Sequence, residues 1–254
     1  LPVPRQAWAH SPRRALFDDE AAATAAATLL LAQDGGGLQL QSMQALPDAD
    51  WVRLTQSQFT PVEITPRFWI VPSWHAAPLQ AQCVIRLDPG LAFGTGTHPT
   101  TRMCLRWIAR RPPEGQRVLD YGCGSGILAI AAALHGAAEV HAVDIDPAAV
   151  TATRANASAN AVGAVVAGAP ELAQGPYDLV LANILAKPLA LLAPLLAAKL
   201  APGAHLVMAG ILERQVDELK AAYAPFMALE VQDREDGWVL MVGHDARAAA
   251  PGPR

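Results

Sequence analysis

From Arg117 onward the chain alternates short apolar runs with longer segments of helical period. The runs 117–121, 140–144, 162–167, 178–182 and 205–209 are almost continuously apolar, the pattern of strands covered on both faces. Helical spacing fills 126–135, 147–160, 186–200 and 213–223. Strand and helix in turn predict an α/β fold, a doubly wound and mostly parallel sheet. Two strand patterns in succession at 227–232 and 238–242 predict an antiparallel hairpin at one edge.

The first third has a different rhythm. Asp18, Asp19 and Glu20 open an Ala-rich helical segment that runs to Gln33 and stops at Gly35–Gly37. Leu38 to Leu46 alternates apolar residues with Gln39, Gln41 and Gln44, which predicts a half-buried strand. A short strand is expected at 13–17 and a short capped helix at 50–59. Prolines at 61, 66, 72, 78 and 89 forbid a long helix, so irregular chain with short strands at 68–71 and 84–87 is expected there. The division that follows is a partial α+β domain over 1–47, a linker over 48–89, the main domain over 90–244 and a loose tail over 245–254.

Composition narrows the class. With 52% hydrophobic and 17% charged residues the chain is a folded protein, not a disordered one. A net charge of −4 argues against affinity for naked nucleic acid through phosphate neutralisation. Cys83, Cys104 and Cys123 have no CxxC pairing and no His at ligand spacing, so they read as free thiols in a reducing cytoplasm, with no metal site. No apolar run is long enough to span a membrane. The first residue is Leu1 and the opening segment lacks a signal-peptide core, which points to a natural start further upstream.

The chemistry gathers around Val118–Gly126, VLDYGCGSG. An apolar run ends in an acid, glycines follow at 122, 124 and 126, and a helical segment begins. Glycines suit a turn that visits positive φ and lets a ligand approach bare backbone. The third glycine comes one residue too early for the dinucleotide fingerprint G-x-G-x-x-G. Asp144 ends the next strand about 20 residues downstream, where a carboxylate meets the two hydroxyls of a ribose; its alternative is a helix cap, a role assigned to Asp146 ahead of Pro147. The turn requires no pyrophosphate and suits a ligand with a small charged middle, such as the methionine part of S-adenosylmethionine. Asn183 in LVLANILA ends a further strand on the carboxyl edge, where its amide can orient a substrate amine or simply close the strand. The loop DPGLAFGTGTHPTT ahead of the turn, rich in Thr and Gly, carries Phe93 and His98 and leads into a helix over 101–110. Asn156 and Asn160 read as structural.

In their order, DPGLAFGTGTHPTT, VLDYGCGSGILAIAAALHGA, VHAVDIDPAAV, LVLANIL and GAHLVMAGIL closely resemble the bacterial ribosomal protein methyltransferases of the PrmA family. The resemblance spans about residues 7–244 and is most specific over 88–146. It implies a seven-stranded, S-adenosylmethionine-dependent methyltransferase domain behind a small substrate-recognition domain. It implies methyl transfer to lysine ε-amines and the N-terminal α-amine of the large-subunit stalk protein numbered eleven. Carried over by motif, cofactor contacts fall on Thr101, Gly122, Asp144 and Asn183, with Gly124 and Gly126 in the same turn. Phe93 and His98 would line the site. The family's amino-terminal domain has a strand and helix ahead of the part seen here, so this domain is read as truncated.

The expected reaction is in-line attack of a neutral amine on a sulfonium methyl, with the enzyme supplying orientation and a dry site. Asn183 is expected to orient the amine, and His98 is a weaker candidate for proton acceptor. The chain is read as a cytoplasmic monomer, with contact to ribosomal RNA left open. Alternatives are a methyltransferase for another protein or RNA nitrogen, a nicotinamide dehydrogenase, and a ribosome-associated cofactor-binding protein without chemistry. The first is weakened by Asn183-Ile184-Leu185-Ala186 standing where N-P-P-Y would. The second is weakened by the glycine spacing.

Overall fold

The computed structural model describes residues 15, 19–33, 39–43, 59–88 and 96–245. The chain forms two compact units, Leu1–Thr55 and Gln56–Arg254. In the first, α1 (Glu20–Gln33) starts where Asp19 accepts a hydrogen bond from the Ala22 N–H at 2.7 Å. The strand expected over 38–46 does not form in its described part, 39–43, which is exposed. A strand needs a neighbour for its N–H and C=O groups, and none pairs with it among the described residues. The strand expected at 13–17 and the helix at 50–59 lie outside the described residues, Ala15 and Phe59 excepted.

The second unit begins with a small sheet of β1 (Val62–Thr65), β2 (Phe68–Val71) and β3 (Cys83–Arg86). β1 and β2 pair antiparallel, β2 and β3 parallel. Both short strands expected in this proline-rich stretch are present. Residues 59–88, read as linker, belong to the second unit: Ile64, Phe68, Ile70 and Ile85 are buried in its core. Asn160 closes the outer edge of β3 as a strand would. Its side-chain oxygen accepts from the Arg86 N–H at 2.7 Å and its nitrogen donates to the Arg86 carbonyl at 2.8 Å.

Then come α2 (Pro99–Arg110), β4 (Arg117–Tyr121), α3 (Ile127–Leu134), β5 (Glu139–Val143), α4 (Pro147–Ala159), β6 (Val165–Gly168), β7 (Tyr177–Asn183), α5 (Ala186–Leu191), α6 (Ala193–Ala198), β8 (Leu200–Leu212), α7 (Val216–Tyr223), β9 (Leu229–Glu235) and β10 (Trp238–His244). The main sheet has the order β6-β5-β4-β7-β8-β10-β9. Only β10 runs against its neighbours. The terminal hairpin closes on Asp236-Gly237, both at positive φ (51° and 77°), the conformation a two-residue hairpin loop demands.

Alternate side chains of the central strands feed two cores. Val118, Leu179, Leu181 and Val207 pack on one face with α2, α3 and α4. Leu119, Val180, Ala182, Leu206 and Met208 pack on the other with α5, α6 and α7. The helix expected over 186–200 breaks at Leu192 because Pro194 has no N–H and its ring crowds the preceding turn. β9 is an edge strand held by charge: Asp233 and Glu235 pair with Arg106, and Glu235 also pairs with Arg102 on α2. These pairs hold Glu235 below the usual carboxylate range despite its partial burial.

Candidate active site

The glycine turn joins β4 to α3. Gly122, Gly124 and Gly126 sit at φ of 78°, 54° and 79°, where a side chain would be strained. The turn's N–H groups are spent within the protein. Gly122 and Cys123 donate to the Val143 carbonyl at 2.8 and 3.0 Å, and Gly124 donates to Asp144 Oδ2 at 3.0 Å. Asp144 Oδ1 accepts from the Asp146 N–H at 3.0 Å. Asp146 itself caps α4 by accepting from the Ala148 N–H, so the division of labour read between the two acids holds for the cap. Asp144 is half-buried, and each of its oxygens accepts one hydrogen bond, so acceptor capacity remains.

Under the turn lies a second acid that the sequence reading did not assign. Asp120, 1% exposed, shares the face of β4 that meets α3 and accepts from the Ala129 N–H at 3.0 Å. Gly126, at the N-cap of α3, has no side chain to do this. Burial, and to a lesser degree the charge of Asp144, push the Asp120 carboxyl up to about 7. The signal was the acid at the strand's end, but its partner was not legible.

On the other side of β4, Asn183 ends β7 at the carboxyl edge of the sheet. Its Nδ2 donates to Thr101 Oγ1 at 3.4 Å, and Thr101 is 1% exposed. Thr101 is therefore buried against Asn183, not open to a ligand itself. The segment after Asn183 is wedged between two glycines. A Cβ on Gly122 would lie 2.4 Å from the Ile184 side chain, and one on Gly210 would lie 2.2 Å from the Ile184 carbonyl oxygen. Gly210, in the quoted GAHLVMAGIL, carried no role in the sequence reading.

His98 is the N-cap of α2. Its Nδ1 accepts from the Thr100 N–H at 3.3 Å and lies 2.8 Å from Thr100 Oγ1, and its ring stands edge-on to Trp238 at 5.0 Å. A nitrogen accepting from an N–H carries no proton, so the neutral ring holds its hydrogen on Nε2. Phe93 lies outside the described residues.

These facts decide what the turn can hold. A dinucleotide pyrophosphate needs free N–H groups at the turn, and here those of Gly122, Cys123, Gly124 and Gly126 are already committed. The carboxyl group that reaches the surface beside the turn is Asp144, which favours a cationic ligand, while Asp120 lies buried below it. Ile145, 86% exposed after Asp144, and Leu185, 68% exposed after Asn183, offer apolar faces on the same edge. S-adenosylmethionine fits this set: a ribose for Asp144, a cationic ligand near an acid, an apolar face for a base. A groove of about 470 Å³ lined by Met103, Trp107, Arg110, Arg111, Gln232 and Asp233 is elsewhere, at the far end of α2. Among the described residues no group of three or more His, Cys, Asp or Glu side chains could hold a metal ion.

Sheet order, glycine turn and acid-tipped β5 together define a methyltransferase of the S-adenosylmethionine-dependent class. The chain belongs to the ribosomal protein L11 methyltransferase (PrmA) family, which it matches over residues 3–246. It is 62% identical to a "Ribosomal protein L11 methyltransferase" of Polaromonas sp., over 95% of this chain and 82% of the relative. It is 50% identical to one from Cupriavidus necator, over 98% of this chain and 83% of the relative. A crystal structure of ribosomal protein L11 methylase from Lactobacillus delbrueckii subsp. bulgaricus superposes with a TM-score of 0.68 at 34% identity, covering 74% of this chain and 99% of that one.

Proposed function

We propose that this chain transfers methyl groups to the lysine ε-amines and the N-terminal α-amine of ribosomal protein L11. The observation that supports it is the committed glycine turn, whose N–H groups are spent on Val143 and Asp144 and which has the partly exposed Asp144 beside it to suit a cationic cofactor. The family supplies the substrate class, since its relatives are L11 methyltransferases. S-adenosylmethionine, when bound, supplies an electrophilic methyl on a sulfonium. In this reading residues 90–244 carry the transfer and residues 1–47 serve substrate recognition.

The protein's own work is binding and orientation. Asp144 takes the ribose diol, and Gly122, Gly124 and Gly126 leave bare backbone for the methionine part. Asn183, fixed by Thr101, turns its amide oxygen to an incoming amine and so aligns the lone pair. A lysine entering beside a cationic sulfonium, away from water, loses its proton more readily, so no dedicated base is required. His98 positions the start of α2. The setting is the cytoplasm, where ribosomal proteins are made, and the three free cysteines fit a reducing compartment.

The test is incubation with methyl-labelled S-adenosylmethionine and separated ribosomal proteins and RNA. Label on L11 amines, located by peptide mass, is the expected result. Label confined to RNA or to another protein redirects the substrate. Cofactor binding with no transfer leaves a binding protein.

A further inference from the structure

We propose that Thr153, on α4, is a positioning residue for the cofactor: it locks the glycine turn into its binding shape before any ligand arrives. This rests on the reading that the turn holds S-adenosylmethionine. Thr153 is 0% exposed and lies under the turn, about 30 residues away in sequence. Its hydroxyl donates to the Gly124 carbonyl at 3.1 Å. It also lies 3.3 Å from Cys123 Sγ. Its methyl lies against Gly126, where an added Cβ would come within 2.6 Å of Thr153 Cγ2. One side chain therefore meets the turn at Cys123, Gly124 and Gly126.

The proton count makes a directed chain. Burial, with a smaller contribution from Asp120, pushes the Cys123 thiol up to about 12, so it stays S–H. The thiol donates to Thr153 Oγ1, and the single threonine proton is left for Gly124. Meanwhile the Gly124 N–H is held by Asp144 Oδ2 at 3.0 Å. The two peptide planes on either side of the Gly124 Cα are thus each pinned by a side chain, one from β5's end and one from α4.

The consequence concerns affinity. Glycine moves between positive and negative φ at little cost, so an unpinned Gly124 would sample several turn shapes. A ligand would then bear the entropy of ordering it. With both planes held, that ordering is completed in folding. Loss of the hydroxyl should weaken cofactor binding by roughly 5- to 10-fold, the range of one neutral hydrogen bond. It should leave the chemical step alone, because Thr153 touches no reacting atom.

The experiment measures S-adenosylhomocysteine affinity by calorimetry, KM for S-adenosylmethionine and for L11, kcat, and the ligand-free melting temperature. The variants are Thr153→Val, Thr153→Ser and Thr153→Ala. Expected for Thr153→Val are a 5- to 10-fold weaker Kd and an equal rise in KM for S-adenosylmethionine. Its kcat at saturation and its KM for L11 should stay within twofold of the parent. Thr153→Ser should bind like the parent. The Ser and Ala variants differ only in the hydroxyl, and that pair carries the test should the valine variant fail to fold. Equal affinity of Ser and Ala variants, or a fall in kcat with KM unchanged, overturns the proposal. A parent protein that binds no S-adenosylhomocysteine overturns the cofactor reading and this inference with it.

Discussion

The side-chain amide of Asn183 donates to the hydroxyl of Thr101 at 3.4 Å, joining the carboxyl end of β7 to the first turn of α2. The contact spends one amide N–H on Thr101 and leaves the Asn183 oxygen available as an acceptor, the role the proposed function gives it. Asn183→Ala should lower kcat by about 10²-fold, the scale of losing one positioned polar group, with cofactor affinity changed much less. Thr101→Val should cost a few-fold in kcat through Asn183. Steady-state kinetics on L11 with parallel calorimetry checks both, and an unchanged kcat in the Asn183 variant would refute the orienting role.

Asp144 holds the turn by accepting from the Gly124 and Asp146 N–H groups, and in the proposed function the same carboxylate takes the ribose. Asp144→Ala should weaken S-adenosylhomocysteine binding by about 10- to 100-fold, as loss of hydrogen bonds to a charged group does. Calorimetry reads this directly. An unaltered Kd would remove Asp144 from the ribose.

Asp120 gives a pH signature. Its carboxyl is raised from an ordinary 3.8 to about 7 by burial. Below about pH 4 both folded and unfolded states hold the proton, and Asp120 costs nothing. As pH rises toward 7, the unfolded carboxyl ionises freely while the folded one stays protonated, so folded stability is progressively lost. The loss is complete above 7 and is at most roughly 4 kcal/mol. Asp120→Asn keeps an acceptor for the Ala129 N–H and cannot ionise. The parent's melting temperature should therefore fall relative to the variant's between about pH 4 and 7. Parallel profiles would show that Asp120 does not titrate there.

Gly210 holds β8 at φ 83° against the Ile184 carbonyl. An added methyl would meet backbone, which cannot swing aside. Gly210→Ala should cost about 2–3 kcal/mol, or about 5–10 °C in melting temperature, and should lower kcat by shifting Asn183. Gly115→Ala is the control: φ is 69°, but nothing lies within 4 Å. It carries only the backbone strain, so equal melting temperatures for the two variants would exclude the Ile184 contact as the cause.

What the sequence determined by itself was local. The apolar runs marked β4, β5, β7 and β8, with ends shifted by a few residues and β8 extended in both directions. Alternation with helices required a doubly wound sheet, and Asp146-Pro147 marked the start of α4. Glycine spacing, Asp144 and Asn183 were readable because a turn, a strand end and a cap obey rules that act within a few residues. The break at Leu192 obeys the same rules through Pro194 and was there to be read. Tertiary structure decided the rest. The sequence showed an acid at 120, but only the packing of α3 on β4 made it that helix's cap and raised its carboxyl. It showed a threonine at 153, but only the docking of α4 put its hydroxyl on Gly124. It showed a glycine at 210, but only the pairing of β7 with β8 brought the Ile184 carbonyl onto it. In each case the contact exists only once two elements pack or pair, and burial rather than residue type sets the chemistry. Local pattern specifies elements; their desolvated contacts specify the site.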